Sequence, residues 1–301
     1  MRVAVAGGTG FIGRALVQAL LCDGHEVVVL TRVAAPAAQS TERLRFVAWQ
    51  PQQTGPWTEA LVGVDGVINL AGEPLIGRRW TSAQKAIILS SRVAATDALV
   101  EAMRRSSTRP QVLVNASAVG YYGPHGDESL DESSPAGQGF LADVCHQWEA
   151  AAMQAESSGV RVVCLRIGVV LAPDGGALAK MAPPFTMFVG GPIGSGRQWL
   201  SWIHRDDVVG MIRWSLTHPE VRGPLNATAT VPVTMRDFTQ ALGRAMSRPS
   251  WLPAPAFALR ALLGEAADVL LTGQRVLPSV AQRLGYAFVY PALETALAVC
   301  V

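Results

Sequence analysis

Three groups of residues have types and spacings that could do chemistry. In the first, Gly7-Gly8-Thr9-Gly10-Phe11-Ile12-Gly13, glycines stand three apart between an apolar run and a helical pattern. Such a turn cradles a pyrophosphate. Gly7 permits the tight bend, Gly10 lets backbone approach the phosphates, and Gly13 lets helix and strand pack closely. The helix start adds unpaired N–H groups and the positive end of a dipole. In the second group, Leu30-Thr31-Arg32, the next apolar run ends without a carboxylate. An NAD site usually ends that strand with Asp or Glu on the ribose hydroxyls; a carboxylate would repel a 2′-phosphate, whereas the Arg32 guanidinium pairs with one. Together they predict NADP(H). The bland alternatives are a plain strand-to-helix turn and a solvated surface arginine. The third group, Ser117, Tyr121 and Tyr122, offers hydroxyls that could polarise a substrate oxygen or donate a proton to it.

The elements that must position these groups follow from hydrophobic pattern. Residues 3–7 read as a buried strand and 26–32 as a second, with a helix between them that ends at Gly24, where positive φ is favoured. Strand, glycine turn, helix and strand make a βαβ unit. Further buried strands are expected at 44–49, 66–72, 111–117 and 160–166, and helices at 82–105 and about 139–157. Alternation of this kind predicts an α/β fold, a Rossmann-type doubly wound parallel sheet, because parallel neighbours need crossover connections. After about residue 170 glycine and proline become frequent, and helices are expected at 206–217, 234–246 and 255–272. The expected division is a dinucleotide-binding domain at 1–170 and a smaller substrate-side lobe at 171–301.

Composition excludes several partners. Half of the 301 residues are hydrophobic and 16% charged, enough for a large core, and a net charge of +2 gives no reason to expect nucleic acid or an acidic membrane. Arg78, Arg79, Arg197 and Arg205 are still numerous enough for a local anion site. Cys22, Cys145, Cys164 and Cys300 lack metal-ligand spacing, so neither zinc nor paired disulfides are expected, and a reducing cytoplasm fits. No apolar run reaches the ~20 residues of a membrane span. The expected assembly is a monomer or homodimer.

Several stretches resemble, in order, the short-chain dehydrogenase/reductase superfamily in its extended, epimerase-like branch. GGTGFIG (7–13) looks like its fingerprint, and Asn69-Leu70-Ala71-Gly72 like the fourth-strand motif that passes under the adenosine ribose. Residues 115–123, NASAVGYYG, resemble the fifth-strand motif carrying the catalytic serine. Residues 166–170, RIGVV, resemble the strand end at the nicotinamide carboxamide, and 202–208, WIHRDDV, a motif of the substrate lobe. The stretches 72–80, 190–204 and 273–297 resemble one subgroup with a distinctive C-terminal segment. The resemblance implies NADP(H) as cofactor, Ser117 as catalytic serine, and cofactor contacts at Gly7, Thr9, Gly10, Phe11, Ile12, Gly13, Thr31, Arg32, Leu70, Ala71, Gly72, Glu73, Arg92 and Val169.

One departure matters. Relatives carry Tyr-x-x-x-Lys-x-x-x-Glu on the catalytic helix; placing Glu149 on that glutamate puts Cys145 at the lysine and Leu141 at the tyrosine. The spacing of four keeps all three on one helical face. Leu141 cannot ionise and Cys145 brings no cation. A reactive cysteine needs a nearby cation or a helix N-terminus, so Cys145 reads as packed and inert. Ser117 is expected beside the nicotinamide, with Tyr121 or Tyr122 as a neutral proton donor, or as packing residues with satisfied hydroxyls. Glu73 is either a cleft carboxylate or a cap. His204 is expected to hydrogen-bond within the small lobe.

The leading functional expectation is an atypical NADP(H)-dependent oxidoreductase acting on a small carbonyl or alcohol. Reduction of an activated carbonyl fits better than epimerisation, because oxidising an alcohol needs the missing base. The alternatives are a non-catalytic NADP(H)-binding sensor or scaffold, and a nucleotide-sugar epimerase or dehydratase.

Overall fold

The computed structural model describes residues 1–32, 40–53 and 55–301. Strand β1 (Arg2–Ala6) feeds the glycine turn, helix α1 (Phe11–Cys22) follows, and β2 (Glu26–Thr31) returns parallel to β1, Arg2 opposite Glu26 and Ala6 opposite Leu30. Gly24 closes α1 with φ of 80°. The chain continues through β3 (Leu44–Ala48), α2 (Pro56–Ala60), β4 (Gly66–Asn69), α3 (Ser82–Arg105), β5 (Val112–Ala118), the short β6 (Ser129–Leu130), α4 (Phe140–Met153) and β7 (Arg161–Ile167). Helix α3 starts where expected because Thr81 caps it, its hydroxyl accepting from the Gln84 N–H.

Beyond residue 170 the elements shorten: β8 (Val169–Ala172), β9 (Gly175–Gly176), α5 (Leu178–Met181), α6 (Pro183–Thr186), β10 (Trp199–Leu200) and β11 (Trp202–His204). Helix α7 (Arg205–Thr217) and β12 (Gly223–Ala227) then return to the main sheet. After them come β13 (Val233–Thr234), α8 (Met235–Ala245), α9 (Ala256–Leu263), α10 (Asp268–Leu271), β14 (Arg275–Val276), α11 (Ser279–Arg283) and α12 (Leu293–Ala298).

Among the described residues the main sheet has seven strands, in the order β12-β7-β5-β4-β1-β2-β3, every pair parallel. Both faces are covered, which is why its strands read as continuous apolar runs. Val3, Val5, Val27, Val29, Val112 and Val114 join Leu16 and Leu20 of α1 and Met211 and Ile212 of α7 in one core layer. The alternate positions Ala4, Ala6, Val28, Leu30, Val67 and Leu113 join Leu99 and Met103 of α3 in the other. The smaller lobe has its own cluster around Trp202, Phe238, Leu242 and Leu297.

Two sequence expectations need correction. The single helix expected at 255–272 is broken: Gly264 adopts φ of 62°, so α9 stops at Leu263 and α10 starts only at Asp268. The chain also does not leave the sheet for good at residue 170, because β12 extends it by pairing with β7. The C-terminal segment folds back onto α7, where the Asp207 carboxylate accepts the N–H groups of Val289 and Tyr290 at 2.7 and 2.9 Å.

Candidate functional site

At the C-terminal edge of the sheet, the turns after β1 and β4 touch. A Cβ on Gly7, where φ is 79°, would stand 2.7 Å from the Leu70 carbonyl carbon, and one on Gly13 would stand 2.2 Å from the Gly7 oxygen. Both glycines are therefore required by the closeness of the backbone itself. Helix α1 opens from this turn with Gly10 as the residue just before it, with no side-chain cap and no acid in its first turn. Helices α3, α7 and α8 are capped by Thr81, His204 and Thr234. An uncapped, acid-free helix start fits a pyrophosphate. Thr9 and Gly10 are exposed, Phe11 and Ile12 half-buried. The Phe11 ring fills the space against Gly175 and Gly176, with the Arg205 guanidinium 5.1 Å above it.

Thr31 is buried at the end of β2 and Arg32 is exposed immediately beyond it. Leu70 and Ala71 are half-buried, Gly72 exposed, and Val169 half-buried at the start of β8. The β4 turn is held from below by a buried network. The Asn69 amide donates to Thr96 Oγ1 and Asn115 Oδ1 at 2.9 and 2.7 Å, the Ala71 N–H donates to Asn69 Oδ1, and Trp148 Nε1 donates to Thr96 Oγ1 at 2.9 Å. The Glu73 N–H donates to Ser91 Oγ.

Arg92 reaches this turn from α3. A Cβ on Gly72 would lie 3.0 Å from its guanidinium carbon, the Trp148 ring of α4 lies 5.1 Å away, and its Nη1 donates to the Ile88 carbonyl. Burial lowers the Arg92 pKa, a shift that Cys145, were it ionised, and Glu73 oppose. Arg92 thus brings a cation to the neighbourhood of Cys145, the position at which relatives carry lysine.

The structure sorts the hydroxyl candidates sharply. Ser117 is 3% exposed and donates to Glu149 Oε1 at 2.6 Å, so its proton is committed inside the protein. To donate to a substrate carbonyl, as expected of it, Ser117 would have to leave this bond. Tyr122 is fully buried; its hydroxyl accepts from Arg166 Nη1 at 2.9 Å and donates to Asn226 Oδ1 at 2.8 Å. Burial pushes its pKa up to about 12, with Arg166 pulling the other way. Tyr122 is a packing residue with a satisfied hydroxyl. Tyr121 is half-buried, its ring centroid 3.4 Å from the Arg166 guanidinium carbon, and no hydrogen bond joins its hydroxyl to another described residue. Cys145 is buried, and burial followed by the Glu149 charge raises its pKa to about 11, as expected of an inert thiol.

Arg166 is the group that residue-by-residue reading passed over. It grips Glu149 through Nε and Nη2, both at 2.8 Å, with the two side chains 4% and 11% exposed. Burial opposes its charge, but hydrogen bonds to Glu149 and the Glu149 charge outweigh that and hold its pKa above the ordinary arginine value. A signal was present: an arginine inside the apolar run Val162-Val163-Cys164-Leu165 must find a buried partner.

Other candidates are dispersed. Arg79 donates to the carbonyl oxygens of Leu262 and Ala261 at the end of α9, Arg205 pairs with Asp174, and Lys180 donates to the Ile76 carbonyl. Trp80 packs edge-on against Phe140 at 5.1 Å. His204 caps α7, its Nδ1 accepting from the Asp206 N–H, as expected for a lobe residue. Among the described residues there is no cluster fit to hold a metal ion and no helix long and apolar enough to cross a membrane.

The doubly wound parallel sheet, the glycine turn and helix α4 packed beside β5 define a dinucleotide-binding protein of the extended dehydrogenase/reductase type. The chain belongs to the NAD dependent epimerase/dehydratase family, whose model matches residues 3–227; residues 254–299 match a second model, a domain of unknown function (DUF1731). It is 48% identical over 299 residues to the chloroplastic epimerase family protein SDR39U1 homolog of Arabidopsis thaliana, covering 99% of this chain and 86% of that protein. The crystal structure of human epimerase family protein SDR39U1 with NADPH superposes with a TM-score of 0.89 at 36% identity, covering 100% of this chain and 99% of that one. A nucleoside-diphosphate sugar epimerase from Corynebacterium glutamicum superposes at 0.80 with 33% identity; the match covers 100% of this chain and 58% of that one.

Proposed function

We propose that this protein is an NADP(H)-dependent oxidoreductase that reduces a small activated carbonyl without a Tyr-x-x-x-Lys pair. The bound nucleotide would supply the hydride. Gly7, Gly10 and the start of α1 would hold its pyrophosphate, and Arg32 its 2′-phosphate. The human relative solved with NADPH supports this choice of nucleotide. The observation that carries the enzymatic reading is Arg92, a half-buried guanidinium kept between Gly72 and Trp148 beside the position where relatives have lysine. A cation there costs desolvation, and it would orient the ribose and steady negative charge developing on a substrate oxygen. Tyr121, whose hydroxyl is uncommitted, would donate the proton. Four free cysteines suit a reducing compartment such as the cytoplasm.

The test is to saturate the protein with NADPH and screen carbonyl compounds for nucleotide oxidation. Turnover that Arg92→Met abolishes while NADPH remains bound supports the proposal; tight NADPH binding with no oxidation across the screen sinks it. That second outcome would favour a sensor or scaffold, a reading supported by the commitment of Ser117, Tyr122 and Cys145 to internal partners. A nucleotide-sugar substrate is disfavoured, since Arg79, one of the arginines available to a sugar diphosphate, spends its donors on α9.

A further inference from the structure

Away from the glycine turn, the end of α8 and the residues after it enclose an open cavity of about 410 Å³ lined by Gln240, Gly243, Arg244, Ser247, Arg248 and Ser250. Two independent observations meet there. First, Arg248 Nε and Ser250 Oγ are buried and have no hydrogen-bond partner among the described residues. Buried donors in folded proteins are almost always paired, and leaving one unmade is costly. Among the described residues Phe188 and Ser247 are the two non-glycine positions with left-handed backbone, at φ of 61° and 53°. Ser247 lines the cavity, and the Phe188 ring lies 4.7 Å from the Arg248 guanidinium carbon. Both conformations are helix endings, of α6 and α8, with the Val189 N–H on the Pro184 carbonyl and the Arg248 N–H on the Gly243 carbonyl.

Second, the rim is apolar and open to solvent. Met187 is 63% exposed, Phe188 54%, Val189 43%, Trp251 64% and Leu252 42%. The two segments are tied side by side: Trp251 Nε1 donates to the Phe188 carbonyl at 3.0 Å, and the Trp251 N–H donates to the Gly190 carbonyl at 2.9 Å. One backbone carbonyl takes part of the Arg248 fork, Nη1 donating to the Ser247 oxygen at 3.0 Å, while two others are occupied by backbone. The Gly243 oxygen accepts from the Arg248 N–H at 2.8 Å and the Arg244 oxygen from the Ser247 N–H at 3.0 Å. Arg244 faces Glu294 at 3.8 Å, but both side chains are largely exposed, and such a pair is weak.

We propose that this cavity is a second ligand site, which takes a small amphiphilic anion: a phosphate monoester with an alkyl or aryl group. The planar guanidinium forks of Arg244 and Arg248, with the Ser250 hydroxyl, hold the phosphate oxygens, and the apolar group lies over Phe188 and Trp251. None of the lining residues belongs to the nucleotide crevice, so the site stands or falls independently of the function proposed above.

The probe is hexyl phosphate, titrated calorimetrically into the full-length protein, with butyl phosphate, inorganic phosphate and hexanol as separate arms. The expected result is single-site binding of hexyl phosphate that shifts the indole resonance of Trp251. Affinity should rise by up to about fourfold for each added methylene and be far weaker for inorganic phosphate or hexanol. Arg248→Gln should weaken binding roughly tenfold or more, and Trp251→Ser should flatten the chain-length dependence. Neither should alter NADPH affinity. Equal binding of hexanol and hexyl phosphate, or binding untouched by Arg248→Gln, would overturn the proposal. So would inorganic phosphate binding as tightly as hexyl phosphate. Retention on vesicles containing acidic phospholipid without binding of monomeric hexyl phosphate would overturn it in favour of a membrane surface.

Discussion

The guanidinium of Arg166 lies against the ring of Tyr121, 3.4 Å from carbon to centroid, while its nitrogens hold Glu149 and the Tyr122 hydroxyl. One buried cation therefore orients both tyrosines, yet only Tyr122 spends its hydroxyl on the protein. Tyr121→Phe is expected to leave Tm and NADPH affinity unchanged and to lower kcat by roughly a hundredfold or more, the scale of a lost general acid. Tyr122→Phe should do the reverse. It unpairs Arg166 Nη1 and Asn226 Oδ1 in a dry interior, at about 1–3 kcal/mol of stability, with turnover per folded molecule retained. Thermal melts and single-turnover kinetics on both variants separate the two roles.

The Glu149–Arg166 pair predicts a different response. Glu149→Gln leaves a buried guanidinium without its counter-charge, which costs about 3–5 kcal/mol, read as a drop in the denaturant midpoint at constant m. Adding Arg166→Met should recover much of that loss, since replacing a whole buried pair is far cheaper than halving it. A double variant no more stable than Glu149→Gln alone would show that the pair does not act as a unit.

Arg32 stands exposed just past the buried Thr31. Arg32→Ala is expected to weaken NADPH roughly ten- to hundredfold, the worth of charge-assisted hydrogen bonds to a phosphate, and to leave NADH unchanged. Fluorescence titration of both nucleotides decides it; equal effects on the two would mean that Arg32 does not read the 2′-phosphate.

His204 predicts a pH dependence of stability. Burial lowers its pKa below the ordinary histidine value, opposed by Asp206 and Asp207 and assisted by Arg205, and its Nδ1 must stay unprotonated to accept the Asp206 N–H. A base whose folded pKa lies below its unfolded one adds stability that is complete above the unfolded value of about 6.5 and is lost as pH falls through the folded value. His25 is shifted the same way by burial and by the N-terminal amine. His204→Asn keeps a good helix cap and should flatten the curve just below pH ~6.5, with the His25 contribution remaining. Chemical denaturation across that range is the measurement; an Asn variant as pH-dependent as the parent would count against the cap.

Much of the fold was legible because it obeys local rules. Gly7, Gly13 and Gly24 sit where positive φ or backbone contact leaves no room for a side chain, and Thr81 marks the start of α3. Strand β12 was not legible: Gly223-Pro224-Leu225-Asn226-Ala227 has the composition of a turn, and it becomes a strand by pairing with Val163 through Ile167. The break in the expected helix at 255–272 rests on the backbone sign at Gly264, which composition does not reveal.

The amino-acid order by itself determined that a βαβ unit with a phosphate-binding turn would form and that the usual tyrosine and lysine would be missing, because spacing along one segment is enough to state both. Tertiary structure alone decided which hydroxyls stay free. Ser117 meets Glu149 across 32 residues, Tyr122 meets Asn226 across 104, and Tyr121 meets no acceptor among the described residues. Desolvated polar groups must find partners wherever the packed sheet and helices put them, and the chain's local pattern does not encode that meeting.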